Sequence, residues 1–174
     1  MIGGQDIVVE IDEAYFGAAK YNRGRRRAGI WVVGGLERLN KNNCFLFPVR
    51  NRSAATLEAI ITRWVRPGSI IYTDCWRSYS RLKSLGYQHG TVNHSTNFVN
   101  PINKEIYTQN IEAQWKVVKD GCPTHGSRRH FLTSYIYTKL WRQQYECKNP
   151  YDTMNYFLQS TLNCNCCLGI SLKS

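Results

Sequence analysis

The chain has 174 residues, 23 Lys and Arg against 12 Asp and Glu, a net charge of +11, and 43% apolar residues. That length accommodates one domain with its own core, and the apolar share argues against intrinsic disorder. No apolar run approaches the roughly 18 residues of a membrane span, the first residues lack a leader pattern, and seven scattered cysteines do not suit a secreted disulfide framework.

In chain order, Ile7 to Asp12 reads as a buried strand ending in a carboxylate. A glycine-containing loop from Gly17 to Gly29 carries the basic cluster Lys20, Arg23, Arg25, Arg26 and Arg27. Ile30 to Val33 and Cys44 to Val49 are rich in β-branched and aromatic residues, and complete a three-stranded meander. Leu57, Ile60, Ile61, Trp64 and Val65 then follow helical spacing, with Ser53 as N-cap and Pro67-Gly68 as the stop. Ser69 to Thr73 is a second buried strand running into a carboxylate, Asp74. Trp76, Tyr79, Leu82 and Leu85 repeat every three residues and predict a short helix, followed by a weaker strand from Tyr87 to Val92. Asn93 to Tyr107 reads as a loop, and a helix from Thr108 carries Ile111, Glu112, Trp115, Val118 and Lys119 up to Gly121. Two final helices are expected, over Phe131 to Leu140 and Tyr151 to Leu162. The order predicts an α/β fold with a mixed sheet flanked by helices. Residues 1–162 are read as one domain and 163–174 as an unstructured, cysteine-containing tail.

Asp12 and Asp74 each follow an apolar strand. One such residue alone is usually a turn or cap, but ligand sites of open α/β sheets lie at the carboxyl ends of strands, where the two could meet. Paired carboxylates repel unless a cation lies between them, and magnesium prefers hard oxygen ligands. Glu112 is a third candidate, docked by its apolar neighbours. Lys119, seven residues on, lies nearly on the same helical face roughly 10 Å along the axis, where it either contacts a phosphate or forms part of a solvated face.

These residues carry a resemblance. Val9-Glu10-Ile11-Asp12-Glu13-Ala14-Tyr15-Phe16-Gly17, with Lys20 to Arg26 behind it, resembles the opening of the DDE transposase domain of Merlin-type elements and of related ISXO-like bacterial insertion sequences. Tyr72-Thr73-Asp74-Cys75-Trp76 with Tyr79 is similar to the second-aspartate motif. Val92-Asn93-His94-Ser95, then Thr108-Gln109-Asn110-Ile111-Glu112 with Trp115 and Lys119, resembles the third-acid block. The resemblance implies a ribonuclease H-like, integrase-type fold with a five-stranded sheet. It also implies Asp12, Asp74 and Glu112 as catalytic ligands of two Mg²⁺ or Mn²⁺ ions, and cleavage and strand transfer of DNA. Lys119 would contact the DNA backbone, and the matching motif sets His94 beside the site, where a structural hydrogen-bonding role is the alternative.

The basic cluster with Tyr15, Phe16 and Tyr21 nearby suits salt-sensitive DNA contact better than a merely solvated loop. Transposon ends and target DNA are the expected partners, with a homo-oligomer on DNA. No membrane or small-molecule substrate is expected, and an intracellular location follows: nucleus if eukaryotic, cytoplasm if bacterial. Cys164, Cys166 and Cys167 lack a partner pair to complete four zinc ligands. Trp64, Trp115 and Trp141 fall on helical apolar stripes and read as core, while Trp31 and Trp76 stay unassigned. Family members usually carry an N-terminal DNA-binding region, so a fragment, a decayed copy or a domesticated derivative is expected. The alternative function is a transposase-derived DNA-binding protein without turnover; a general ribonuclease H-like nuclease is a third.

Overall fold

The computed structural model describes residues 1–17, 29–93, 101, 103–121 and 129–144. Its strands are β1 (Val8–Phe16), β2 (Ile30–Glu37), β3 (Cys44–Val49), β4 (Ile70–Asp74) and β5 (Gln88–Val92). The helices are α1 (Ala54–Trp64), α2 (Gln109–Asp120) and α3 (Arg129–Gln144). The sheet order is β3-β2-β1-β4-β5. β1, β2 and β3 form the antiparallel meander, while β4 pairs parallel to β1 and β5 parallel to β4. That mixed five-stranded arrangement is the ribonuclease H-like fold.

The chain divides into two compact units, Met1–Leu140 and Trp141–Ser174. Of the second only residues 141–144, the end of α3, are described, so the expected helix over Tyr151 to Leu162 and the Cys164–Cys167 cluster lie outside the described residues.

Alternation along β1 builds the layers, since successive strand side chains point to opposite faces. Val9 and Ile11 enter a core with Val33, Leu57, Ile60, Ile61, Tyr79 and Leu82 on the α1 side. Ala14 and Phe16 enter a second core with Val32, Leu46, Ile111, Trp115, Val118, Leu132 and Ile136 on the α2 and α3 side. α1 begins where expected: Ser53 Oγ accepts the Thr56 N–H at 3.3 Å, satisfying one of the orphan donors of the first turn. Leu57, Ile60 and Ile61 bury its stripe, and Val65 lies just past the helix, bridged to Ile2.

Two expectations need correction. β1 does not end at its aspartate but runs on to Phe16, held by β2 along its whole length; it is β4 that stops there. The segment after Asp74 is not one helix but two 3-10 turns, Arg77–Tyr79 and Lys83–Leu85, closed by Gly86 at φ 88°. A three-residue apolar repeat matches the three residues per turn of a 3-10 helix better than 3.6.

Candidate active site

The register of β1 on β4 sets Val8 opposite Ile70 and Glu10 opposite Tyr72. Two residues further, the same register brings Asp12 level with Asp74 at the point where β4 ends. Carboxylate oxygens of Asp12, Glu13 and Asp74 all lie within 4.8 Å of one another. Two of these three were expected; Glu13 was not.

Each carboxylate is held from its own side. The indole N–H of Trp115 donates to Asp12 Oδ2 at 2.8 Å, and the backbone N–H of Trp76 donates to Asp74 Oδ1 at 2.9 Å. On the α1 face, the Tyr79 hydroxyl donates to Glu13 Oε1 at 2.5 Å, and Arg52 Nη1 stands 3.8 Å from Glu13 Oε2. Trp115 therefore fills the core, as its helical spacing predicts, and also orients an acid.

Burial raises the pKa of Asp12 above the usual carboxylate range; the Trp115 hydrogen bond opposes that rise, and repulsion from Asp74 and Glu112 adds to it. Burial likewise pushes Glu13 up to about 7, with Tyr79 and Arg52 pulling it down and Asp74 and Asp12 pushing it up. Like charges crowded at a half-buried site favour either bound protons or a bound cation. The donor set is all carboxylate oxygen, which suits magnesium or manganese and not a thiolate-seeking metal.

Glu112 lies in the first turn of α2, exposed, and close enough to Asp12 to raise its pKa, but it is not one of the three oxygens within 4.8 Å. Its helix is anchored from β1. Thr108, the N-cap residue, makes no side-chain cap; instead Glu10 Oε2 accepts the backbone N–H groups of Asn110 at 3.0 Å and Ile111 at 3.1 Å. Glu10 Oε1 takes Asn110 Nδ2 at 2.7 Å and Arg38 Nε at 2.9 Å. A fully buried carboxylate thus meets the positive end of a helix and a guanidinium together. Arg38 completes the clamp by donating to the carbonyls of Glu105 at 2.7 Å and Tyr107 at 2.8 Å, with its guanidinium 3.7 Å from the Tyr107 ring centroid. Ile111, Trp115 and Val118 then dock α2 on the sheet, and Glu112 stands beside that stripe.

Gly34 makes room for this docking. It lies opposite Asp12 on β2, and a Cβ there would stand 2.6 Å from the Trp115 ring and 2.8 Å from Leu46. Lys119 is exposed on α2, its Nζ 5.5 Å from the Phe16 ring centroid. Lys20, Arg23, Arg25, Arg26, Arg27 and His94 lie outside the described residues. Glu10, Glu13 and Gly34 escaped sequence reasoning. The one signal for Glu13 is its place in the Val9, Ile11, Glu13 alternation, a carboxylate where an inward-facing residue belongs.

The sequence model of a family described as the ISXO2-like transposase domain matches residues 2–144. A Haemophilus influenzae relative, described as an uncharacterized transposase-like protein, is 41% identical over 71 residues, covering 41% of this chain and 55% of that protein. The matched stretch is thus about half the length of that relative. Among solved structures, the HTLV-2 integrase catalytic core domain in complex with magnesium is 12% identical with a TM-score of 0.48, over 81% of this chain and 88% of that one. The catalytic core domain of BIV integrase is 12% identical with a TM-score of 0.49, over 90% and 96%. The Mos1 strand transfer complex is 10% identical with a TM-score of 0.32, over 81% and 53%.

Proposed function

The chain belongs to the ISXO2-like transposase domain family, and on that premise we propose that it is a transposase catalytic domain that cuts DNA strands and transfers them to a target, using divalent metal held by Asp12, Asp74 and Glu112. The observation that carries this reading is the meeting of Asp12 and Asp74 where β4 ends beside β1. When bound, two magnesium or manganese ions would activate the attacking oxygen and stabilise the leaving one in an in-line displacement.

The chain's own residues do the positioning. Trp115 donates to Asp12, which the Glu13 backbone also steadies, and the Trp76 backbone donates to Asp74, fixing the two carboxylates in orientation for a cation. Glu10 and Arg38 fix the start of α2, so that Glu112 enters from the α2 side. Glu13, held by Tyr79 and faced by Arg52, adds negative charge and supports the three acids as a fourth carboxylate. Lys119 and the basic residues Lys20, Arg23, Arg25, Arg26 and Arg27 would neutralise backbone phosphates, with affinity that falls steeply with salt. Transposon ends and target DNA are the proposed partners, with assembly as a homo-oligomer on them.

A strand-transfer assay with Mg²⁺ or Mn²⁺ on wild type and Asp74→Asn tests the proposal. Metal-dependent cleavage in the wild type, lost in the variant, is the expected result. Salt-sensitive DNA binding with no cleavage by either protein would replace it with a DNA-binding derivative lacking turnover. Cleavage indifferent to transposon ends would point to a general nuclease.

A further inference from the structure

The sheet end that carries the carboxylates also carries exposed aromatic surface. Trp31 on β2, Arg52 just ahead of α1 and Trp76 just after β4 come together on the α1 face. The Arg52 guanidinium carbon stands 3.7 Å from the Trp31 ring centroid and 4.9 Å from that of Trp76. Tyr15 packs on Trp31, centroids 5.1 Å apart. Ser78 Oγ donates to the Arg52 carbonyl at 3.1 Å, tying the turn after β4 to the segment before α1. Arg52 also faces Glu13, so the cluster is continuous with the acids.

Trp76 is 44% exposed, although it sits in a built environment with its backbone bound to Asp74. Leaving a large ring half in water forgoes hydrophobic stabilisation, and Tyr79, three residues on, is buried fully. A flat ring backed by a guanidinium, two residues from a proposed metal ligand in a chain of net charge +11, offers stacking and a cation to one occupant, a nucleobase on a polyanionic strand. Base–aromatic stacking is sequence-tolerant because every base has a π-face, and Arg contributes to it.

We propose that Trp76, backed by Arg52 and Trp31, is a stacking platform for an unpaired base of the DNA strand whose phosphate enters the carboxylate cluster. The inference rests on the DNA-cutting reading above and adds a preference to it. A paired base cannot lie on the ring without leaving its duplex, which costs a few kcal/mol; an already unpaired one avoids that cost. DNA frayed or unpaired near the cut is the favoured substrate form.

The test uses the full chain without metal and two labelled duplexes of one sequence, one blunt and one with a short unpaired extension carrying 2-aminopurine. Wild type is expected to bind the extended duplex roughly tenfold more tightly and to quench the 2-aminopurine. Trp76→Ala brings the affinity ratio to about one and removes the quench, whereas Trp76→Phe, which keeps a ring, retains most of both. An unchanged ratio and quench in Trp76→Ala overturns the platform and leaves DNA binding standing, as does a wild type that binds both duplexes equally without quench. A wild type that binds neither duplex at low salt overturns both the platform and the DNA reading beneath it.

Discussion

Glu10 accepts the backbone N–H of Ile111 at 3.1 Å, so a strand residue two places before one proposed ligand caps the helix that carries another. The distance in sequence between those two residues makes the bond a fastener for the whole site. Removing the carboxylate would leave Arg38 and two helix N–H groups without their buried partner. Breaking a buried pair of this kind from one side costs about 3–5 kcal/mol. Glu10→Ala should lower the urea midpoint accordingly, and Glu10→Gln, which keeps an acceptor, should lower it less. A wild-type midpoint in Glu10→Ala would show that α2 is held by its apolar stripe alone.

Glu13 gives stability a pH dependence with a definite sign. Its folded pKa of about 7 exceeds the ordinary 4.5, so between those values the folded chain holds more protons than the unfolded one. Stability from this group is greatest below pH 4.5 and is lost as pH climbs through 7, by about 3 kcal/mol. Asp12, raised by burial, adds a change of the same sign. Urea unfolding across pH 4.5–8 should show the decline in metal-free wild type and a flatter profile in Glu13→Gln. Tyr79→Phe, which removes the donor that steadies the charged form, should move the decline to higher pH.

Metal should reverse that loss. A ligand that binds only the folded chain adds about 2.7 kcal/mol at 100 times its Kd, so magnesium at neutral pH should raise Tm. Asp74→Asn keeps an oxygen for the Trp76 N–H but removes a charge facing Asp12 and Glu13. Without metal it should be at least as stable as wild type, and with metal it should gain little. An equal magnesium-induced rise in both proteins would remove Asp74 from the cation site.

Gly34→Ala should disturb Asp12 from the neighbouring strand. Its Cβ meets the Trp115 ring and Leu46 at distances no side chain accepts unmoved, and overpacking of that kind costs about 1–3 kcal/mol. The ring that must shift carries the N–H bound to Asp12. A lower urea midpoint together with a smaller magnesium-induced rise in Tm is the expected pair of results. A lower midpoint with an unaltered metal response would separate Trp115 packing from the site.

Local signals in the sequence revealed much of this architecture. Apolar runs located the first four strands, a weaker signal from Tyr87 to Val92 marked the fifth, and the Leu57, Ile60, Ile61 stripe with Ser53 located α1. Asp12 and Asp74 were legible because each follows an apolar strand, and the motifs around them resemble a known family. The misread elements are those decided by distant partners. The full length of β1 depends on pairing with β2, which supplies hydrogen bonds beyond the residue where apolar character fades. Glu10 drew no separate reading within its strand because its four donors come from Arg38, Asn110 and Ile111, and no local pattern announces a helix capped from 100 residues away. Glu13 likewise takes its meaning from Tyr79 and Arg52, on elements that only the folded sheet brings to it.

The two-sided character of β1 bears on how such a chain can change over generations. Val9, Ile11 and Glu13 belong to one layer, and Glu10, Asp12 and Ala14 to the other. One codon gained or lost between Val8 and Asp12 would turn every later side chain of the strand over, sending Ile11 or Glu13 where Asp12 belongs and an acid into the oily layer. Replacement of one apolar residue by another is therefore survivable at Val9 and Ile11, whereas a change of length is not. Among descendants of one ancestor, the segment should vary at its apolar positions, keep Glu10 and Asp12, and stay constant in length.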